Sequence, residues 1–197
     1  MARTQAADYD KKRDSITAQA AKLFARRGFA GASVSELAAE CNVSKSLIYH
    51  YYASKEAILF DVMNDHMESL LAVAEDKTNA KASPEEELKL LTRDLLRCYV
   101  GAADQQKILL YELSFLPEGE RKEIIAKQRK IIARVEDIFT RATPALKNDK
   151  ARLRARVMLY FGMLNWTHTW FKSTGPMSRD ALADEAAEAA INSLMAP

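Results

Sequence analysis

Ser33-Val34-Ser35-Glu36-Leu37-Ala38-Ala39-Glu40-Cys41-Asn42-Val43-Ser44-Lys45-Ser46-Leu47-Ile48-Tyr49-His50-Tyr51 is the stretch that decides the fold of this 197-residue chain. It divides into two very short helices, each opened by a serine. Ser33 with Glu36 three residues later forms a capping box, in which each side chain satisfies an amide left free at the helix start. Ser44 caps the second helix in the same way. Asn42 stands at the reversal between them, and asparagine tolerates the left-handed backbone that such a turn demands. Leu37, Ala38, Cys41, Val43 and Ile48 supply a small apolar seam, which leaves Ser35, Lys45, Ser46, Leu47, Tyr49 and His50 facing outward. Two short helices at a steep angle, with a polar and aromatic outer face, describe a helix-turn-helix that reads DNA.

The composition around this unit favours helices. Hydrophobic residues make up 48% of the chain, enough for a sizeable core, while six glycines and five prolines are too few for a sheet with many turns. The net charge is only +2, but residues 1–60 carry nine Lys/Arg against six Asp/Glu, so the basic surplus lies at the amino end, as expected of a nucleic-acid-binding head. Cys41 and Cys98 stand far apart inside helical patterns and form neither a metal-ligand spacing nor a disulfide framework, which points to a reduced cytoplasmic setting. Met1-Ala2-Arg3-Thr4-Gln5 runs into charged residues and lacks the apolar run of a signal peptide. The most apolar stretch, Val157 to Phe171, is too short to span a bilayer and contains Asn165, Thr167 and His168.

Outward from the helix-turn-helix, the pattern predicts an all-α chain of about nine helices. Ile16, Ala20, Leu23 and Phe24 lie at helical spacing in a first helix from Asp8 to Arg27, closed by Gly28. Ser54-Lys55-Glu56 opens a fourth helix running to about Glu75, and Lys77 to Ser83 is a polar break. Pro84 and three glutamates start the next helix. A shorter segment follows from Gln105 to Phe115. Glu118 to Arg141 is long and highly charged, Asp149 to Lys172 is the most aromatic helix, and Ser178 caps a last one over Arg179 to Leu194.

These residues resemble the TetR family of bacterial transcriptional regulators. The resemblance is close over residues 10–60, through Ala21, Leu23-Phe24, Gly28-Phe29, Ser33-Val34, Leu37-Ala38, Val43-Ser44-Lys45, Tyr49, Tyr51-Tyr52 and Lys55-Glu56. Asn42 replaces the usual turn glycine, and Tyr51-Tyr52 a common His/Tyr-Phe pair. The resemblance implies a three-helix DNA-binding domain over 1–54 and a helical effector-binding and dimerisation domain over 55–197. It also implies DNA contacts. Ser33 and the Val34 amide would hold phosphate, and Ser35 would reach a base edge or a phosphate. Ser44, Lys45, Ser46 and Leu47 would open the recognition helix into the major groove. Tyr49, His50 and Tyr51 would touch phosphate or sugar, and Lys55 would clamp the backbone. Core packing is the competing reading for Tyr49 and, more strongly, for Tyr52.

A family member of this kind is expected to be a homodimer on a palindromic operator. The last two helices suit the dimer interface, with Leu153, Val157, Leu182, Ala183, Ala186, Ala187, Ala190, Ile191 and Leu194 as its residues; burial of the alanine face within one subunit is the competing reading. A small hydrophobic effector would sit between helices, among Met63, Met67, Leu95, Tyr99, Leu110, Tyr111, Phe115, Phe139, Phe161, Leu164, Asn165, Trp166 and Trp170. Leu116-Pro117-Glu118 and the segment from Leu164 to Ser178 resemble a subset that controls fatty-acid, steroid or aromatic-acid catabolism. The implied effector is an acyl- or aryl-coenzyme A, with Arg121, Lys122, Arg129 and Lys130 able to meet its phosphates. The fourth helix is the expected lever between effector and DNA. No cofactor, metal or membrane partner is expected. An enzyme is disfavoured, since His50, His66 and His168 lie apart and no nucleophile elbow or phosphate-cradling glycine loop is present. The alternative within binding proteins is a helical protein-binding adaptor without operator-specific DNA binding.

Overall fold

A computed structural model describes the backbone of residues 2–76 and 82–195 and the side chains of 8–76 and 82–194; most of the expected polar break from Lys77 to Ser83, and the side chains at the head of the amino-terminal stretch, lie outside the described residues. Among the described residues the chain is all-helical. Its nine α-helices are α1 (Ala2–Arg27), α2 (Val34–Glu40), α3 (Lys45–Tyr51), α4 (Lys55–Glu75), α5 (Pro84–Cys98), α6 (Ala103–Tyr111), α7 (Glu118–Ala142), α8 (Lys150–Trp170) and α9 (Arg179–Met195). Two 3-10 turns, Leu113–Phe115 and Pro144–Asn148, follow α6 and α7. Among the described residues no helix is long and apolar enough to cross a membrane.

The helix ends follow local chemistry. Gly28 stops α1 at φ 71°, its amide donating to Phe24 O, and a Cβ on Gly31 would meet the Arg27 carbonyl at 2.7 Å. α1 begins at Ala2, six residues ahead of the expected Asp8, because Ala, Arg and Gln there are good helix formers. Ser83 caps α5, Asp149 caps α8, and the Ser178 hydroxyl accepts from Ala181 N at the start of α9.

The chain forms two compact units, Met1–Met67 with Ala102–Ile125, and Glu68–Gly101 with Ala126–Pro197, so the boundaries fall inside α4 and α7. This differs from a division in sequence order at 54/55, because α6 packs on α1. Lys107 Nζ donates to Ala25 O in the last turn of α1, and the Phe115 ring lies 5.2 Å from Phe29. In the same unit His66 on α4 is buried, with Nε2 2.7 Å from Gln106 Oε1 on α6.

In the second unit α9 lies along α5. Arg93 grips Asp184 through two parallel hydrogen bonds of 2.7 and 2.8 Å, and Arg97 pairs with Asp180. Glu87 of α5, almost fully buried, is held by Arg134 and Arg141 of α7. This packing corrects the expected dimer residues. Ala183, Ala187, Ala190 and Leu194, together with Val157 on α8, are buried within the chain; Leu182 and Ala186, though largely covered, still line the outer surface of α8 and α9, and Leu153 and Ile191 are half-buried. Small side chains do admit a close helix partner, but that partner is α5 of the same chain. On the opposite face of α8, Met158, Leu159, Met163, Trp166 and Trp170 are exposed.

Burial pushes the His66 imidazole below its ordinary value of 6.5. The unfolded chain therefore takes up a proton near pH 6.5 that the native state resists. The stability this histidine leaves intact is complete above that pH and is lost as the pH falls through it, by at most about 1.4 kcal/mol per pH unit for one proton. Urea unfolding at pH 7.5 and 5.5 should show a smaller acid-induced loss in His66→Gln than in the parent chain. Equal losses would show that His66 does not contribute.

Candidate nucleic-acid interface

The helix-turn-helix is built as its serines indicate. Ser33 Oγ accepts from Glu36 N at 3.1 Å while the Glu36 carboxylate accepts from Ser33 N at 2.8 Å, completing the capping box. The Ser33 hydroxyl also donates to Glu36, and these bonds hold the Glu36 carboxyl below the usual carboxylate range. Ser33 is thus committed to the cap. Val34 is buried, so it offers a ligand only its backbone, and Ser35 is exposed. Asn42 takes φ 52°, with Val43 N bonded to Ala38 O and Asn42 N to Ala39 O, the double closure of a Schellman motif that reverses the chain without glycine.

Ser44 accepts from Leu47 N at 3.1 Å and opens α3, and Ser46 Oγ lies 2.9 Å from Ser44 Oγ. Ile48 is fully buried and sets the rotation of this short helix. Lys45, Ser46, Tyr49 and His50 then face outward, and Leu47 is half-buried. Lys45 Nζ lies 5.9 Å from the centroid of the Tyr49 ring, which is 47% exposed, so the two form one cationic and aromatic ridge along α3.

The far end of α3 is tied into the core. Tyr52 is buried, its hydroxyl donating to Asp61 Oδ2 at 2.7 Å and lying 2.7 Å from Thr17 Oγ1. Arg13 Nη2 donates to the other Asp61 oxygen at 2.6 Å. Burial, with Asp61 accepting the proton, pushes the Tyr52 phenol up to about 12, so it remains a donor at neutral pH. Tyr51 is half-buried beneath Tyr9, ring centroids 4.6 Å apart, with His50 packed edge-on against both rings. Tyr9, Arg13, Thr17 and Asp61 were not singled out from the sequence. The signal was present in the four-residue spacing 9, 13, 17, which continues the inner stripe of α1 past its apolar part.

Lys55 is placed otherwise than as a free backbone clamp. Its ammonium donates to Phe29 O at 2.7 Å and Ala32 O at 2.9 Å and lies 4.1 Å from the Phe29 ring centroid. Two of its three protons hold the turn between α1 and α2, leaving at most one for a phosphate.

The expected effector residues separate. Met63, Met67, Leu110, Tyr111 and Phe115 belong to the first unit, where the methionines are fully buried and Tyr111 and Phe115 are exposed. Leu95, Tyr99, Phe139, Phe161, Leu164 and Asn165 belong to the second, together with Trp166 and Trp170. There the Tyr99 hydroxyl donates to Asn165 Oδ1 at 3.0 Å, and Phe139, Tyr160 and Phe161 form an edge-to-face series. Trp166 and Trp170 line a shallow apolar trough on α8 and α9 with Met158, Leu159, Gly162, Met163 and Ala189, so they correct the expectation of an enclosed site for those two rings. The basic residues expected to meet phosphates are partly engaged, Lys122 with Glu118 and Lys130 with Glu75.

A capped helix-turn-helix on a helical body defines a class of DNA-binding regulators, and comparison with known proteins narrows it. Residues 16–62 match the family model described as bacterial regulatory proteins, tetR family, and residues 81–194 match the tetracyclin repressor-like C-terminal domain. The chain belongs to the TetR family. It is similar to a TetR-family transcriptional regulator from Bordetella parapertussis 12822, with 37% identity, TM-score 0.86, and 90% of this chain and 93% of that one covered. It is also similar to AibR, solved in complex with isovaleryl coenzyme A and operator DNA, with 27% identity, TM-score 0.75 and coverage of 90% and 97%. The transcriptional repressor NicS of Pseudomonas putida is 30% identical over 104 residues, which is 52% of this chain and 49% of NicS. The chain spans 17% to 49% of the lengths of the first curated regulators it matches.

Proposed function

We propose that this chain is a homodimeric transcriptional repressor of the cytoplasm, a binding protein without catalytic chemistry, which holds a palindromic operator and leaves it when a small hydrophobic effector binds. The observation that carries this reading is the α3 ridge of Lys45, Ser46, Tyr49 and His50, exposed over the fully buried Ile48. An α-helix with its side chains is about 10–12 Å across, which a major groove about 12 Å wide admits, and the seven residues of α3 give it about 10 Å of length to lay along that groove. Lysine there can donate to guanine O6 and N7, while Leu47 is placed for a thymine methyl.

One such helix makes too few contacts for a specific site, so a second copy is needed. Its seat is the outer face of α8 and α9, where Leu159 is 70% exposed and Trp166 61%. A contiguous apolar face of this kind marks an interaction surface rather than ordinary solvent-facing surface.

For the effector, the reading is an acyl- or aryl-coenzyme A thioester. It is supported by the AibR complex and by a second unit that holds both the Phe139–Tyr160–Phe161 ring series and the Tyr99–Asn165 hydrogen bond. Release follows from linkage: an effector that favours a conformation unfit for the operator lowers DNA affinity by its differential binding.

Selection of duplexes from a randomised DNA pool should yield a palindrome bound with steep salt dependence. On that duplex Lys45→Ala should lose about 1–3 kcal/mol, and less on a scrambled one; equal losses would reduce Lys45 to a phosphate contact. In sedimentation, Leu159→Arg should run as a folded monomer whose melting temperature no longer depends on protein concentration, whereas Ala187→Arg should destabilise the subunit itself, since its site is internal. A Leu159→Arg dimer would refute the interface. Isovaleryl- or benzoyl-coenzyme A should raise the melting temperature where free coenzyme A does not, with about 2.7 kcal/mol of stabilisation at a hundredfold excess over Kd. No shift with either thioester removes this effector class.

A further inference from the structure

α1 is longer than its core requires. From Asp8 to Ser15 no side chain is buried, and the apolar anchors start at Ile16. Yet three residues of this helix, spaced four apart and therefore on one face, each meet the end of the recognition helix. Thr17 lies against the Tyr52 hydroxyl, Arg13 lies 5.7 Å from the Tyr52 ring centroid, and Tyr9 lies 4.6 Å from the Tyr51 ring. The first two act at the core and are secured by Asp61. Tyr9 is the outermost, 39% exposed, and it touches the two residues that follow the Lys45–Tyr49 ridge: Tyr51 at an interplanar tilt of 33° and His50 edge-on at 6.4 Å.

We infer that Tyr9 is a positioning residue for DNA binding: its ring braces Tyr51 and His50 in the rotamers they need at the sugar-phosphate backbone. The inference rests on the proposed DNA-reading role of α3. α3 is only seven residues long and passes into extended backbone at Tyr52 (φ −136°, ψ 124°), so its last turn has few internal bonds to hold it. A free tyrosine and histidine there would each lose rotamer freedom on meeting DNA, and ordering them beforehand removes that cost from binding. The tilted ring contact on Tyr51 and the edge contact with His50 provide this ordering through ring shape alone. The Tyr9 hydroxyl is not needed, which separates a brace from a direct phosphate contact.

The full-length chain, titrated with a fluorescein-labelled duplex selected by the parent protein from a randomised pool, tests this. Tyr9→Ala should weaken binding about threefold to tenfold, the range for immobilising one freed side chain, with an unchanged salt slope and a melting temperature lowered by no more than one exposed aromatic pair accounts for. Tyr9→Phe should bind as the parent does. Parent-like affinity in Tyr9→Ala overturns the inference. Equal losses in Tyr9→Ala and Tyr9→Phe also overturn it, by making the hydroxyl itself the DNA contact. Failure of the parent chain to enrich any duplex is a separate outcome, which removes the DNA-reading role and this inference together.

Discussion

The hydroxyl of Tyr52 is the point on which the reading head depends. A phenol buried at the end of a seven-residue helix must find partners, because a polar group hidden from water without them costs about 1–3 kcal/mol. Tyr52 finds Asp61 on α4 and Thr17 on α1, and Asp61 in turn accepts from Arg13. Three helices are thereby joined through one hydroxyl and one carboxylate. Ile48 sets the rotation of α3 about its axis, and Tyr52 sets where the helix ends. The outer ridge of Lys45 and Tyr49 can be presented in one orientation only because the inner side is held at both of these points.

The same economy governs the turn that joins α1 to α2. Its carbonyls receive Lys107 from α6 at Ala25 and Lys55 from α4 at Phe29 and Ala32, while Phe115 covers Phe29. Lys107 and Lys55 serve here as donors to backbone carbonyls at and just beyond the end of α1 that the helix leaves open. The second unit uses charge differently. Arg93–Asp184 and Arg97–Asp180 set the register of α9 on α5, and the alanines of α9 then allow the two helices to close.

Local chemistry in the sequence was enough to place the serine caps, the reversal at Asn42, the glycine stop at Gly28 and every helix from α2 to α9 to within a few residues. These features depend on neighbours three or four positions apart, whose geometry any helix supplies. The outward set on α3 was legible for the same reason. Tyr52 as a core residue was legible as well, though its partners Thr17 and Asp61 were not, since they lie 35 and 9 residues away.

Periodicity shows that a helix has an apolar face but not which partner covers it. Ala183, Ala187 and Ala190 read as a face for another subunit, with burial in the same one as the competing reading; the pairing of α9 with α5 buries them within the chain, and leaves Leu159 and Trp166 on α8 at the outer surface. Trp166 and Trp170 read as pocket rings because aromatic character marks burial on average, yet here they stand at the surface. Lys55 reads as a backbone clamp in the linear pattern, whereas in the fold two of its protons go to the carbonyls of Ala32 and Phe29, 23 and 26 residues earlier. The sequence by itself determined the helices, their caps and the outward side chains of α3, because those rest on short-range bonds. The tertiary structure alone decided which faces are spent inside the chain and which remain for partners, because that choice rests on contacts between residues far apart along the chain.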